Sequence, residues 1–371
     1  MRIRKNIMKT PLTLLVTGLS LLVLSTLNSQ LSTAFAQGSL TPPGPPGPAM
    51  KSLDQIEART PIASAPFTIA NPGSYYLTTN LTVSSGNAIT IATNNVTLNL
   101  TGFTIASTTP SASGTGVLLA GGNANIAILN GFITGGVTNN GGVYGGSGFG
   151  YGIYYSGNNP SNVRVSHISV SGCLNDGISL YTISSTIVES CTVNTVGGTG
   201  IYAQSISDST AINCGNYGIN SLTALNCADF NAVNVGIYTC EANNCYGYSS
   251  NSYGLYASTA NNCRGYSVNG IGLLASSANN CLAFSTTNTA LFALIATGCA
   301  GQSTSGIGLN ATRIATGCSG YTSTGTGLSA NIANSCFGQS TSGTGLIANI
   351  ANSCVGIGSP AMTVTNKYNM P

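Results

Sequence analysis

The sequence predicts an all-β fold: a single-stranded parallel β-helix, or solenoid, with 23-25-residue coils shortening to 18-residue coils and a short N-terminal capping helix. Three observations predict it. Apolar residues alternate, as in Ile89 and Ile91, then Val96, Leu98 and Leu100, then Phe103 and Ile105, which is strand spacing with Thr and Asn facing the other way. A glycine followed by Ile or Leu recurs at positions 152, 177, 200, 218, 236, 254, 272, 308, 327 and 345, with Ala290-Leu291 filling the one gap. The intervals are 25 and 23, then 18, except for one of 19 where Arg313 is inserted. No helix-length pattern follows Arg59.

The first 36 residues read as an export signal. Arg2, Arg4, Lys5 and Lys9 form a basic start, an apolar run extends from Leu12 to Leu27, and Ala34-Phe35-Ala36 is a small-x-small cleavage site. The run is shorter than the ~20 apolar residues of a spanning helix, so no membrane span is expected after cleavage. Four of the ten basic residues leave with it, so the mature chain carries six against seven acidic ones. A net charge near −1 gives no ground for a nucleic-acid partner.

Residues 37–60 read as a Pro/Gly-rich linker followed by the capping helix. "TPPGPPGPAM" is a stiff polyproline stretch, with too few triplets for collagen. Met50, Leu53 and Ile56 then recur at helical spacing up to Arg59, and Ser52 and Gln55 have capping-box spacing. Residues 61–371 form the β-helix. Charged residues are only 5% of the chain and 42% is hydrophobic, which excludes disorder and points to a thin core assembled by repetition. About 13 coils would stack to roughly 60 Å at one strand spacing each. The recurring glycine marks a corner that needs a positive φ or has no room for Cβ. Asn243, Asn261, Asn279, Asn334 and Asn352 are placed to hydrogen-bond along a corner.

The stretch "FTIANPGSYYLTTNLTVSSGNAITIATNNVTLNLTGFTI", the segment "PPGPPGPAMKSLDQIEARTPI" and the ending "TNKYNMP" resemble secreted bacterial right-handed β-helix repeat proteins of the pectin-lyase-like superfamily. The resemblance covers nearly all of the mature chain. It implies the fold but no one activity, since that superfamily includes lyases, hydrolases, adhesins and proteins with no known activity.

Sugar-cleaving chemistry needs two carboxylates at a fixed separation, or a base beside a bound cation. After Arg59 the acids are Asp176, Glu189, Asp208, Asp229 and Glu241, and the bases are Arg164, Arg264, Arg313, Lys367 and the lone His167. Asp176, in "LNDGI", faintly resembles the Asn-Thr-Asp-Gly of polygalacturonases and is the one catalytic candidate. The partner Asp pair, the Gly-His-Gly and the Arg-Ile-Lys of that family are missing, so the expected role of Asp176 is bonding turn amides. Glu189 and Asp208 fall on adjacent columns that point to opposite faces, and His167 lies in strand spacing between Val165 and Ser169 with no second His. No metal and no cofactor are expected.

Cysteines recur at 245, 263, 281, 299, 318, 336 and 354. Stacked one coil apart, their parallel Cβ vectors place the sulfurs poorly for disulfides, so they are expected as small buried hydrophobes. Cys240 and Cys245 lie outside that argument and are free to pair. Phe230, Tyr248, Tyr266, Phe284 and Tyr321 each stand three residues after a Cys and form an aromatic stripe interrupted by Gln302. Facing outward, the stripe would contact sugar rings or simply stabilise the face.

The expectation is an exported structural or carbohydrate-contacting surface protein without catalytic activity, secreted, at the cell surface or in a periplasm, with an extracellular polysaccharide as partner. The alternatives are a polysaccharide lyase or glycoside hydrolase working on the longer early coils, and an ice- or mineral-binding face built from "GQSTSG" and "GYTSTGTG". Oligomeric state is left open.

Overall fold

A computed structural model describes residues 58–181 and 185–369. The expected export signal, the expected linker and most of the expected helix lie outside the described residues. The last position of that helix is corrected: Arg59 opens the strand Arg59–Ile62, which pairs in parallel with Gly73–Leu77. Every described element is a strand, and all pairings but one are parallel to the coil before and after.

Each coil turns through three walls. In the second coil these are Ile89–Ile91, Val96–Asn99 and Thr104–Ser107. From Leu255 on, the first two walls run on in one bent strand, such as Leu255–Asn261, and the third is a short strand such as Arg264–Ser267. The Gly-Ile/Leu register holds throughout. A single first-wall column passes through Phe67, Ile89, Val117, Ile153, Ile178, Ile201, Ile219, Ile237, Leu255, Leu273, Leu291, Leu309, Leu328, Leu346 and Met362. That is two coils more than the spacing suggests, because the earliest coils are irregular in length: Phe67, Ile89, Val117 and Ile153 are register partners despite unequal steps. Arg313 is the extra residue of a bulge between Ala311 and Ile314.

The corners divide the labour differently from the expectation. From the coil of Asn130 on, the corner before the third wall is left-handed, with φ between 49 and 56° at Asn130, His167, Ser190, Asp208, Asn226, Asn244, Asn262, Asn280, Ser335 and Ser353, and 62 and 61° at Gly298 and Gly317. Asn tolerates this region and Gly is indifferent to it, which explains the residue choice. His167 lies within the strand Ser161–Cys173, as expected, and is the exposed left-handed residue at its bend. One residue earlier, Asn279 donates to Asn261 (2.9 Å) and Asn261 to Asn243 (3.0 Å), as expected. Thr297 and Thr316 interrupt that ladder before Asn334 and Asn352.

The Gly of Gly-Ile/Leu has no left-handed φ; crowding selects it. A Cβ on Gly254 would lie 2.4 Å from the backbone N and O of Tyr266, and one on Gly265 would lie 2.2 Å from the carbonyl O of Gly272. First and third walls thus meet backbone to backbone across the interior. One coil carries Ala283 and Ala290 at these positions, both fully buried. Beside this seam a column of buried hydroxyls ties the end of the third wall to the turns of its own and the preceding coil: Ser285 Oγ donates to Gly270 O (2.7 Å) and accepts from Asn288 N–H (3.0 Å), and Ser303 does the same with Asn288 O (2.6 Å) and Gly306 N–H (2.9 Å). So the first Ser of "GQSTSG" faces inward.

All twelve cysteines are unbonded, eleven of them buried and Cys240 exposed. Ladder sulfurs sit 3.2–3.4 Å from one or two carbonyl oxygens, as Cys263 does from Asn261 O and Cys245 from Asn243 O and Ala224 O. This places weak S–H donors where acceptors are in reach. Burial pushes the Cys173 thiol up to about 12.

Two features were not foreseen. Gly136–Asn140 and Val143–Ser147 form an antiparallel hairpin whose two-residue loop, Gly141-Gly142, has φ of 62 and 96°. It lies beside later third-wall strands: Asn139 Nδ2 donates to Asn213 Oδ1 (2.7 Å), and a Cβ on Gly197 would be 3.0 Å from Cβ of Tyr144. Burial, then Cys214 and Asp229, push the Tyr144 phenol up to about 12. Asp229, meanwhile, takes an inward position of the seam, pairing with Ala211 one coil earlier. It is 0% exposed, its Oδ1 has no hydrogen-bond partner, and its Oδ2 accepts a long bond from Ala232 N–H (3.4 Å). Burial raises its pKa well above the ordinary 3.8.

Three outcomes are expected. Gly254→Ala should cost about 3 kcal/mol, the upper end for overpacking, while Gly317→Asn, at an open left-handed corner, should stay within about 0.5 kcal/mol; denaturant midpoints decide. Because the carboxyl of Asp229 binds its proton more tightly in the fold, wild-type stability should fall as pH rises from about 4 toward neutrality. Asp229→Asn should flatten that decline, as measured by midpoints at pH 4 and pH 7. Native thiol titration should modify Cys240 first and the remaining eleven only on unfolding; disulfides between neighbouring coils in a mass spectrum would refute this.

Candidate functional site

From Tyr246 on, third-wall strands alternate inward Gly or Ala with outward side chains. Register aligns Tyr248, Tyr266, Phe284, Gln302, Tyr321, Gln339 and Ile357 in one outward column. The five stripe residues fall into three groups. A bulge between Ala228 and Ala232 displaces Phe230, which is 48% exposed and leans on Tyr246 (5.3 Å between centroids) rather than Tyr248. Tyr248 and Tyr266 stack on each other at 5.0 Å and 8°, and Arg264 covers Phe284 at 4.9 Å. These faces are occupied by their neighbours, which stabilises the wall and leaves edges and hydroxyls outward.

Tyr321 differs. Its column neighbours are Gln302 and Gln339, its ring is 39% exposed, and its one ring contact is a tilted one with Phe337 (5.6 Å, 46°). Gln302, Ser303, Tyr321, Thr322, Ser323, Gln339 and Thr341 line a surface groove of about 190 Å³. An aromatic ring between two amides in a hydroxyl-lined groove offers stacking and paired hydrogen bonds with no formal charge. The glutamines looked like interruptions in the sequence; their 18- and 19-residue spacing from the aromatics was the available signal.

The first wall carries a second aromatic surface that the stripe's Cys-based spacing did not show. Tyr154, Tyr202, Tyr238 and Tyr256 each follow a Gly-Ile or Gly-Leu, and register places them in one outward column with Ser179 and Asn220. Tyr151 stacks on Tyr154 at 4.1 Å, Tyr155 meets Tyr181 at 6.2 Å, Tyr181 meets Tyr202 at 6.3 Å, and Tyr238 stacks on Tyr256 at 4.8 Å and 10°. The signal was the recurrent Gly-Ile-Tyr itself.

The carboxylates do not converge. Asp176 Oδ1 accepts Thr199 N–H (2.8 Å) at the corner of the next coil, the amide-bonding role expected of it. Burial raises its pKa, against the pull of the Thr199 amide and the Ser179 hydroxyl. Glu189 pairs with Arg164 at 3.4 Å, and Asp208 accepts Asn226 Nδ2 at 3.0 Å. Among the described residues no group of three or more His, Cys, Asp or Glu side chains is placed to hold a metal ion.

No protein-family model and no curated protein matches this chain. Among solved structures it is similar to the A-module of Azotobacter vinelandii mannuronan C-5 epimerase AlgE4, at 11% identity and a TM-score of 0.32, over 81% of this chain and 89% of that one. It is also similar to the A-module of mannuronan C-5 epimerase AlgE6 from the same organism, at 12% identity and a TM-score of 0.34, over 81% of this chain and 92% of that one. Likeness at this level says nothing of what this chain binds.

Proposed function

We propose that the chain is an exported structural solenoid that contacts extracellular carbohydrate through its third wall. The observation that carries the reading is Tyr321, exposed between Gln302 and Gln339 in the hydroxyl-lined groove. A pyranose has apolar C–H faces and polar edges, so it needs a ring to lie on and amides or hydroxyls at the sides. Export rests on the N-terminal basic and apolar pattern. Asp176 serves a turn in this reading and no residue is given a catalytic role.

A glycan array followed by calorimetry with the best neutral oligosaccharide tests it. Tyr321→Ala should weaken binding by about 1–3 kcal/mol, the cost of one lost stacking platform by analogy with base stacking, roughly 5- to 150-fold in affinity. Unchanged binding in Tyr321→Ala would sink the reading. Release of reducing or unsaturated sugar ends that disappears in Asp176→Ala would move the protein to the enzymes.

A further inference from the structure

We infer that the first-wall tyrosine column is a second, separate carbohydrate track, and that the protein bridges two neutral polysaccharide chains. The ligand class rests on the reading of the Tyr321 groove; the second site and the bridging rest on the geometry of the two walls and on the tyrosines themselves.

The seam fixes the geometry. A Cβ on Gly236, just before Ile237 and Tyr238, would lie 2.5 Å from the backbone N of Tyr248, and one on Gly254, before Leu255 and Tyr256, would lie 2.4 Å from that of Tyr266. The strand that presents each tyrosine is thus backed directly by a third-wall strand. Side chains outward on one wall project away from those outward on the other, so a chain lying along one track leaves the other open.

The surface itself points to an uncharged repeating polymer. Among the described residues, no protein group hydrogen-bonds the hydroxyls of Tyr154, Tyr202, Tyr238 or Tyr256, and no Lys or Arg stands on the first-wall strands from Tyr151 to Tyr256. An acidic polymer would find no counter-charge there. Tyr238 is 41% exposed and stacks on Tyr256 at 4.8 Å, so, as with Tyr248 and Tyr266, the pair turns ring edges and hydroxyls outward. Hydroxyl and amide groups in register from coil to coil, phenols at four of six positions, suit a ligand that repeats along the same axis better than a globular partner. Two tracks on one rigid body give bivalency, and bivalent binders cross-link polymers.

The test uses hydroxyethyl cellulose and dextran as neutral polymers, polygalacturonate as the acidic one, and the chain lacking its export signal. The variants are Tyr238→Asn with Tyr256→Asn, since that column already holds Asn220, and Tyr321→Ala; circular dichroism confirms that each keeps its β content. Wild type should make a neutral polymer turbid or viscous and bind two oligosaccharides per chain. Each variant should still bind one and lose the cross-linking. Two sites and full cross-linking in the Tyr238/Tyr256 variant would overturn the second track while leaving the groove. Loss in that variant, with Tyr321→Ala unchanged, would overturn the groove and leave the first-wall track as the one site, so bridging fails. Ligand-free self-association that vanishes in the Tyr238/Tyr256 variant would make a second copy the occupant and overturn the proposal. Binding to polygalacturonate alone, or to no polymer, would do so as well.

Discussion

The contact on which the rest of the structure depends is backbone against backbone at the glycine seam. A Cβ at Gly254 or Gly327 would fall 2.4 Å from the opposite strand's nitrogen, so a larger residue on either wall would force the two apart. Ile, Leu and Val fill the longer early coils, whereas in the 18-residue coils Leu, Ala, Cys and Ser fill the interior columns beside the seam, and close approach lets so thin a core close. Seam and core set the coil length, since a coil with walls in contact needs no more than 18 residues to close.

The seam has a cost at Asp229. Its column otherwise holds apolar residues, from Ile133, Val170 and Val193 to Ala211, and a carboxyl there has neither a path to water nor enough donors to satisfy it. The adjoining bulge, with Asn231 at a φ of 75°, falls where this larger side chain sits. The same bulge moves Phe230 out of the stripe, so a buried polar group and a surface rearrangement occupy one short segment.

Most of the fold was legible because the chain repeats it. The Gly-Ile/Leu spacing located the first-wall register to the residue, and the Cys spacing located the entry to the third wall. What was not legible has physical reasons. The hairpin pairs antiparallel within one insertion, so it contributes nothing to the period that revealed the coils. Asp229 looks in sequence like any turn acid, since only the inward sense of its column makes it costly. The division of labour at the corners was hidden because glycine answers two different needs, absence of Cβ at Gly254 and a left-handed φ at Gly317. Which aromatic faces are open was also hidden: Tyr248 and Tyr321 have the same spacing from a Cys, and only their neighbours in the adjoining coils distinguish them.

The Arg313 bulge shows how errors travel in such a chain. Leu309 and Ala311 pair with partners nineteen residues on, Leu328 and Ala330, whereas Ile314 pairs with Ile332, eighteen on. The extra residue is absorbed within one turn, and the next coil reads its register afresh from the strand beneath it. A screw thread with one misplaced turn would be wrong for the rest of its length. This chain behaves as a stack of separately indexed plates, in which an insertion or deletion at an outward corner is a local event that later coils do not inherit.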